Sequence, residues 1–391
     1  MRSYRDLFRT PEFTPLFLSS SAQTVARTTS GLALATLVFR ETASPLLAAL
    51  SMFGPSLAHV LGATLLMSAA DRLPPRATTT GTALVYAALT ALLALPGLPV
   101  AAVFAVLLLN GLVASVGGGV RWGLLNEILP EDGYLLGRSV FNMMNGLMQI
   151  TGYAAGGVLV AVLSPRRALL LAAALYVTAA AVARLGLTRR PPRATGRPSV
   201  RATWTANAQL WSSAPRRHVY LALWIPNGLI VGCESLYVSY APDAAGTLFA
   251  CAALGMLAGD IAVGRLVPPD RRRRLGAPLL LLLATPYLAF VLRPPLAVAA
   301  ALVAVASAGF AASLVQQQRL MALTPAGLSG HALGLHSSGM LTLQGACAAL
   351  AGGLAQLTSP ATAMTALAVA SAGTTLLLPA TSPERRRAVR V

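Results

Sequence analysis

Apolar runs of eighteen residues or more recur along this chain, and each is long enough to cross a bilayer as a helix. A large soluble helical protein needs a polar face on every helix, and these runs lack one. Composition agrees. Only 11% of the 391 residues are charged and 55% are hydrophobic, whereas about 25% of a soluble domain is charged. The sequence therefore predicts an all-α membrane protein, with spans at 13–38, 45–70, 77–97, 99–125, 136–163 and 167–187, then 218–240, 244–267, 275–292, 295–322, 331–357 and 360–380.

The basic stretch Arg184–Arg217 separates these twelve spans into two sets of six. It holds eight arginines and no acid. Its first part is rich in Pro and Arg and predicts an extended segment. In the second, Trp204 and Trp211 share a helical face suited to lipid headgroups, with a flexible basic loop as the alternative. Three regions result: an N-terminal six-helix bundle at 1–187, a cytoplasmic linker at 188–217, and a C-terminal six-helix bundle with a basic tail at 218–391.

A net charge of +18 ordinarily raises nucleic acid as a partner. Here the arginines sit between apolar runs, on alternate sides. With both termini inside, 25 of the 30 fall in inner segments. That is the positive-inside bias, so the implied partner is the lipid bilayer and not nucleic acid, and the expected location is the cytoplasmic membrane. Arg166 and Arg167 are the local exception. Tyr4, Leu7 and Phe8 fall on one face of a short helix at the inner surface. Cys233, Cys251 and Cys347 lie inside apolar runs and read as packing residues. The first span lacks a small-residue cleavage site and is expected to stay as a helix.

Shifting the sequence by 193 residues superposes Arg72-Leu73 on Arg265-Leu266, and Gly137, Gly146 and Gly152 on Gly330, Gly339 and Gly345. Two parallel six-helix repeats facing a central path are the implied architecture. The glycines Gly146, Gly152, Gly156 and Gly157 in span 5, and Gly339 and Gly345 in span 11, allow close backbone approach. That suits smooth contacts between halves, or ordinary tight packing.

Few ionisable groups lie inside the spans: Arg27, His59, Glu234 and His336. A charge at the bilayer centre costs about 2.5–3.5 kcal/mol on insertion scales, so each needs a partner or water. Glu234 is the only acid well inside an apolar run. Arg27 and Glu234 are expected at similar depth, so they either pair across the two halves or Glu234 carries a proton. Gln23, Asn110, Asn227, Gln316 and Gln344 are candidate path-lining amides, together with Thr24, Asn142, Asn145, Gln149 and Gln317. Pro226, next to Asn227, predicts a kink in span 7. His59 and His336 read as packed, neutral residues.

Six-plus-six spans, the basic central loop and the stretch MSAADRLPPRA together resemble the major facilitator superfamily over nearly the whole chain. Asp71, Arg72 and Arg76 match that family's signature loop, while Met67 and Pro74-Pro75 depart from it. The second copy keeps Arg265, with Asp260 one turn early. GYAAGG in span 5 is similar to the glycine-rich motif of the family's antiporters, without its proline. The arginine many proton-driven antiporters carry in span 4 is absent near Leu107. The resemblance implies that Asp71 latches a gate against the inner end of span 11, near Gly330 and His331, and against Arg121.

An intramembrane enzyme needs paired acids, a histidine cluster or an activated nucleophile, and no span holds one. All thirty basic residues are arginine, so no GxxxxGK phosphate loop exists and an ATP-driven pump is excluded. No cofactor or metal is expected. The expectation is a monomeric secondary transporter that moves a small amphipathic or apolar compound by alternating access, as proton-coupled efflux. Uptake of a small nutrient is the alternative, and a non-transporting membrane scaffold or sensor a further one.

Overall fold

The computed structural model describes residues 4–192, 200–325 and 328–380; some side chains inside these ranges, including those of 63–72, lie outside the description. Among the described residues the chain is helical throughout and contains no strand. A short surface helix, α1 (Tyr4–Arg9), leads into α2 (Phe13–Thr42), α3 (Pro45–Arg72), α4 (Pro75–Leu93), α5 (Val100–Ile128), α6 (Glu131–Val162) and α7 (Pro165–Gly186). Then come α8 (Val200–Ser212), α9 (Ala214–Ser235), α10 (Tyr237–Tyr240), α11 (Ala245–Ile261) and α12 (Pro269–Arg272). The chain closes with α13 (Gly276–Ala284), α14 (Leu296–Ala308), α15 (Ala312–Ala322), α16 (Ser329–Leu357) and α17 (Pro360–Ala380).

Proline sets many of the boundaries. Pro45, Pro75, Pro165 and Pro360 each open a helix, where a missing N–H costs nothing and φ is already helical. Gly97, at φ 74°, takes the left-handed backbone beyond α4, so the third span ends at Leu93 and not at 97. The fifth span starts at Glu131, five residues before the expected 136, because Pro130 caps it and acids suit a first helical turn. Pro226 lies inside α9, but the helix runs on to Ser235. Seven helices are long and apolar enough to cross a membrane by length and composition. Others, such as α2 and α6, are as long but carry Ser, Thr, Asn and Gln, which lower their hydropathy.

The chain divides into two compact units. Unit 1 takes Met1–Thr42, Gly54–Pro198 and Ala245–Ala250; unit 2 takes Ala43–Phe53, Ser199–Ala244 and Cys251–Val391. In unit 1, α2 packs on α6 and α7, and α4 packs on α7. In unit 2, α9 packs on α16 and α17. The first, fifth and sixth spans of each half thus pack alike.

The second part of the linker is helical. Ala206 and Leu210 are its buried face, Trp211 stacks on Trp224 with centroids 5.7 Å apart, and Trp204 stays exposed. Trp211 is thus partly covered by α9, while Trp204 is not. Arg216 donates to the carbonyls of Gln209 and Leu210, closing the end of α8. Arg166, the exception to the charge bias, forms an ion pair with Glu41.

Candidate functional site

In unit 1, Arg27 lies midway along α2 and is exposed. It is within electrostatic range of His59 on α3, Tyr86 on α4, Arg121 on α5 and Tyr176 on α7. Four other helices of unit 1 thus carry groups near it. Tyr86 and Tyr176 stand with ring centroids 5.4 Å apart, and Tyr176 packs beside Ala26 and Ala87. Nε of Arg121 is buried and has no hydrogen-bond partner, and its guanidinium lies 5.1 Å from the Trp122 ring centroid. Gln23 donates to Ser19 Oγ at 3.3 Å, and Thr24 Oγ1 donates to Asn145 Oδ1 at 3.2 Å, joining α2 to α6. Asn110 is half-buried, and its Oδ1 has no partner.

In unit 2, Glu234 ends α9 and is buried at 6% exposure, with Oε1 unpartnered. Arg27 and Glu234 belong to different units. The neighbours of Glu234 include Tyr237 and Tyr287, two fully buried tyrosines whose hydroxyls hydrogen-bond to each other. Gln344 Nε2 donates to Asn227 Oδ1 at 2.9 Å and ties α16 to α9. Each unit therefore joins its first and fifth spans through a side-chain amide. Gln316 is buried with Oε1 free of any partner. His336 is buried as well, accepting from Trp224 Nε1 and facing Gln317 Nε2 at 3.4 Å.

The expected gating residues are described only in part, and no hydrogen bond or ion pair joins those that are. The side chains of Asp71, Arg72 and Gly330 lie outside the described residues. Arg76 is half-buried at the start of α4; Asp260 is exposed near the end of α11. Arg265 is exposed on the π turn Ala262–Leu266 that follows it.

Several glycines expected at contacts between halves serve packing within a unit. A Cβ on Gly152 would strike the Thr28 hydroxyl, and one on Gly156 would press on Thr29 Cα, both on α2. Thr29 Oγ1 donates to the Gly152 carbonyl at 3.1 Å. Gly339 seats the Trp224 ring inside unit 2. Gly157 differs: it meets the Cα of Gly246, a residue of the second six-span half whose segment Ala245–Ala250 belongs to unit 1, next to a Tyr153–Phe249 stack with centroids 4.8 Å apart. Gly146 is half-buried on α6 and Gly345 is buried on α16.

Sequence reasoning passed over three features. Two are the tyrosine pairs. The third is Glu12, whose carboxylate accepts Thr188 N–H at 2.9 Å and both arms of Arg190 at 2.9 and 3.2 Å. Tyrosine within an apolar span was the signal available, since its hydroxyl needs a partner when buried. For Glu12 the sequence offers only an acid close to a basic linker.

The fold and these residues can be set against known proteins. The family profile described as Major Facilitator Superfamily matches residues 16–243. The chain belongs to the major facilitator superfamily. Among solved structures, it superposes on a POT family transporter in complex with 5-aminolevulinic acid with a TM-score of 0.75, at 11% identity and covering 96% of each chain. Peptide transporter POT in complex with sulfate gives 0.75 at 14% identity, covering 98% of this chain and 99% of that one. A bacterial homolog of the human lysosomal transporter Spinster, inward-facing and unoccupied, gives 0.69 at 14% identity, covering 98% and 96%. At such identities the likeness concerns the fold. A search of curated proteins finds no match. As a superfamily member the chain is a multi-pass membrane protein and a secondary transporter.

Proposed function

We propose that this transporter exports a small amphipathic compound across the cytoplasmic membrane in exchange for protons, working as a monomer with both termini in the cytoplasm. Its moving bodies are the bundles 1–187 and 218–391, joined by the linker 188–217. The observation that carries the coupling is Glu234: a buried acid with an unpartnered oxygen, beside a tyrosine hydroxyl pair. An ionised carboxylate is costly in an apolar interior without a counter-charge, and taking up a proton removes that cost. Of the two roles open to this residue, fixed ion pair or proton carrier, the free Oε1 supports the second. Gln23, Asn110, Asn227, Gln316 and Gln344 supply the polar groups of the path, two of them with free carbonyl oxygens. The loop Asp71, Arg72, Arg76 and its counterpart Asp260, Arg265 are the inner gates in this reading.

The test compares cells carrying the wild-type chain with cells carrying Glu234→Gln, by mass spectrometry of internal and external small molecules. Export coupled through Glu234 predicts a compound that accumulates inside the variant cells, and equally inside wild-type cells treated with a protonophore. A wild-type distribution in the variant removes Glu234 from the coupling. A compound depleted inside the variant reverses the direction to uptake.

A further inference from the structure

Unit 1 holds two arginines, Arg27 and Arg121, with no acid partner among the described residues. Among the described residues no ion pair involves Arg27 or Arg121; the pairs present join Arg166 to Glu41 and Arg190 to Glu12 and Glu127. Every acid of the first six spans lies near a helix end: Glu41, Asp71, Glu127, Glu131 and Asp132. Arg27 and Arg121 are nonetheless near enough to feel each other across the bundle. Holding two such charges close together in a mostly apolar bundle is costly, because each loses water and they repel each other. Arg121 lies against the Trp122 ring with its Nε buried and unpartnered, and Arg27 is exposed beside Ala26, which packs on Tyr176. Two guanidinium groups with five donors each, and no hydrogen-bond or ion-pair acceptor among the described residues, form a receptor for an anionic oxygen group. Beside them the Tyr86–Tyr176 pair offers an aromatic surface with hydroxyl donors.

We propose that Arg27 and Arg121 bind the anionic end of the transported compound, a carboxylate or a similar oxyanion, and that the Tyr86–Tyr176 pair takes up the adjoining apolar body. The substrate class is then a small amphipathic anion. The arginines do double service: empty, they repel each other; occupied, the ligand compensates both charges, so occupancy and closure of unit 1 around the ligand are linked.

This rests on the transport reading, but its test is binding alone. The full chain in lipid nanodiscs is titrated with 3-phenylpropionate, 3-phenylpropanol and 3-phenylpropylamine, which share a skeleton and differ in charge. Binding is followed by calorimetry and by the tryptophan fluorescence that Trp122, under Arg121, contributes. The acid binds wild type more tightly than the alcohol or the amine. Arg27→Gln and Arg121→Gln each weaken the acid at least ~10-fold, as expected for loss of a charge-assisted bond, and leave the alcohol unchanged, which also shows that the variants are folded. Arg27→Lys restores part of the acid binding. Three compounds bound alike, an amine preferred, no binding of the acid, or either Gln variant binding the acid as wild type does, overturns the proposal. Such a failure leaves carrier flux untouched, whereas loss of flux with intact acid binding would remove the transport reading and keep the anion site.

Discussion

Glu12 is the residue whose removal has the most calculable effect on unit 1. Its carboxylate takes both arms of Arg190 and the Thr188 N–H and hydroxyl, so one side chain ties the start of α2 to the segment leaving α7. A hydrogen bond to a charged group contributes about 1.5–3 kcal/mol when water is excluded, and an exposed ion pair about 0–1 kcal/mol. The side chains here are 25% and 10% exposed for Arg190 and Glu12. The expected coupling between them is therefore about 1–2 kcal/mol. Arg190 has a second acid, Glu127, at 3.7 Å with 30% exposure, and that single looser contact is worth about 0.5 kcal/mol or less. The experiment is a pair of double-mutant cycles, Glu12→Gln with Arg190→Gln and Glu127→Gln with Arg190→Gln, read by equilibrium unfolding in a bilayer mimic. A Glu12–Arg190 coupling no larger than the Glu127–Arg190 coupling would refute the reasoning, because the fork geometry would then add nothing.

Other expectations follow from close contacts. Gly152→Val places a side chain on the Thr28 hydroxyl and the Val25 carbonyl, and overpacking of that kind costs about 1–3 kcal/mol; Gly353→Ala, mid-helix with open space around it, does not destabilise and raises stability by up to about 1 kcal/mol. Trp211→Ala removes a ring stacked on Trp224 and Tyr220 and lowers the stability of unit 2. Trp204→Ala, at a ring 67% exposed, does not, and a matched loss in both would contradict the assigned faces of α8.

How much could be read before the structure depends on whether a feature is local. Helix positions follow from apolar runs and from prolines such as Pro45, Pro165 and Pro360, which act on their own neighbours. The helix of the fifth span begins before its apolar run does, because its first turn, Glu131-Asp132-Gly133, is polar and gives no apolar signal, although Pro130 marks the start. The polar groups inside the spans, from Gln23 to Gln344, stand out against an apolar background and were legible as candidates. Their partners were not. Thr24 meets Asn145 and Asn227 meets Gln344 across more than a hundred residues, and which amide reaches which depends on helix rotation that hydrophobicity alone does not fix in so uniformly apolar a chain. The glycines show the same limit: their spacing announces close approach, while the neighbour, α2 for Gly152 and Trp224 for Gly339, is a tertiary fact. In the sequence Arg121 stands out only as an implied contact of Asp71, and its nearness to Arg27 emerges only when α2 and α5 are packed in one unit.

The central claim is that this superfamily member is a carrier whose proton coupling runs through Glu234. The measurement that meets it most directly is counterflow in proteoliposomes, using the compound that distinguishes Glu234→Gln cells from wild type. Vesicles preloaded with unlabelled compound are predicted to draw labelled compound transiently above its equilibrium level. Glu234→Gln is predicted to keep this exchange while losing accumulation driven by a pH gradient. Labelled compound that only equilibrates, or that enters no faster than into protein-free vesicles, would contradict a carrier; pH-driven accumulation undiminished in Glu234→Gln would contradict the coupling.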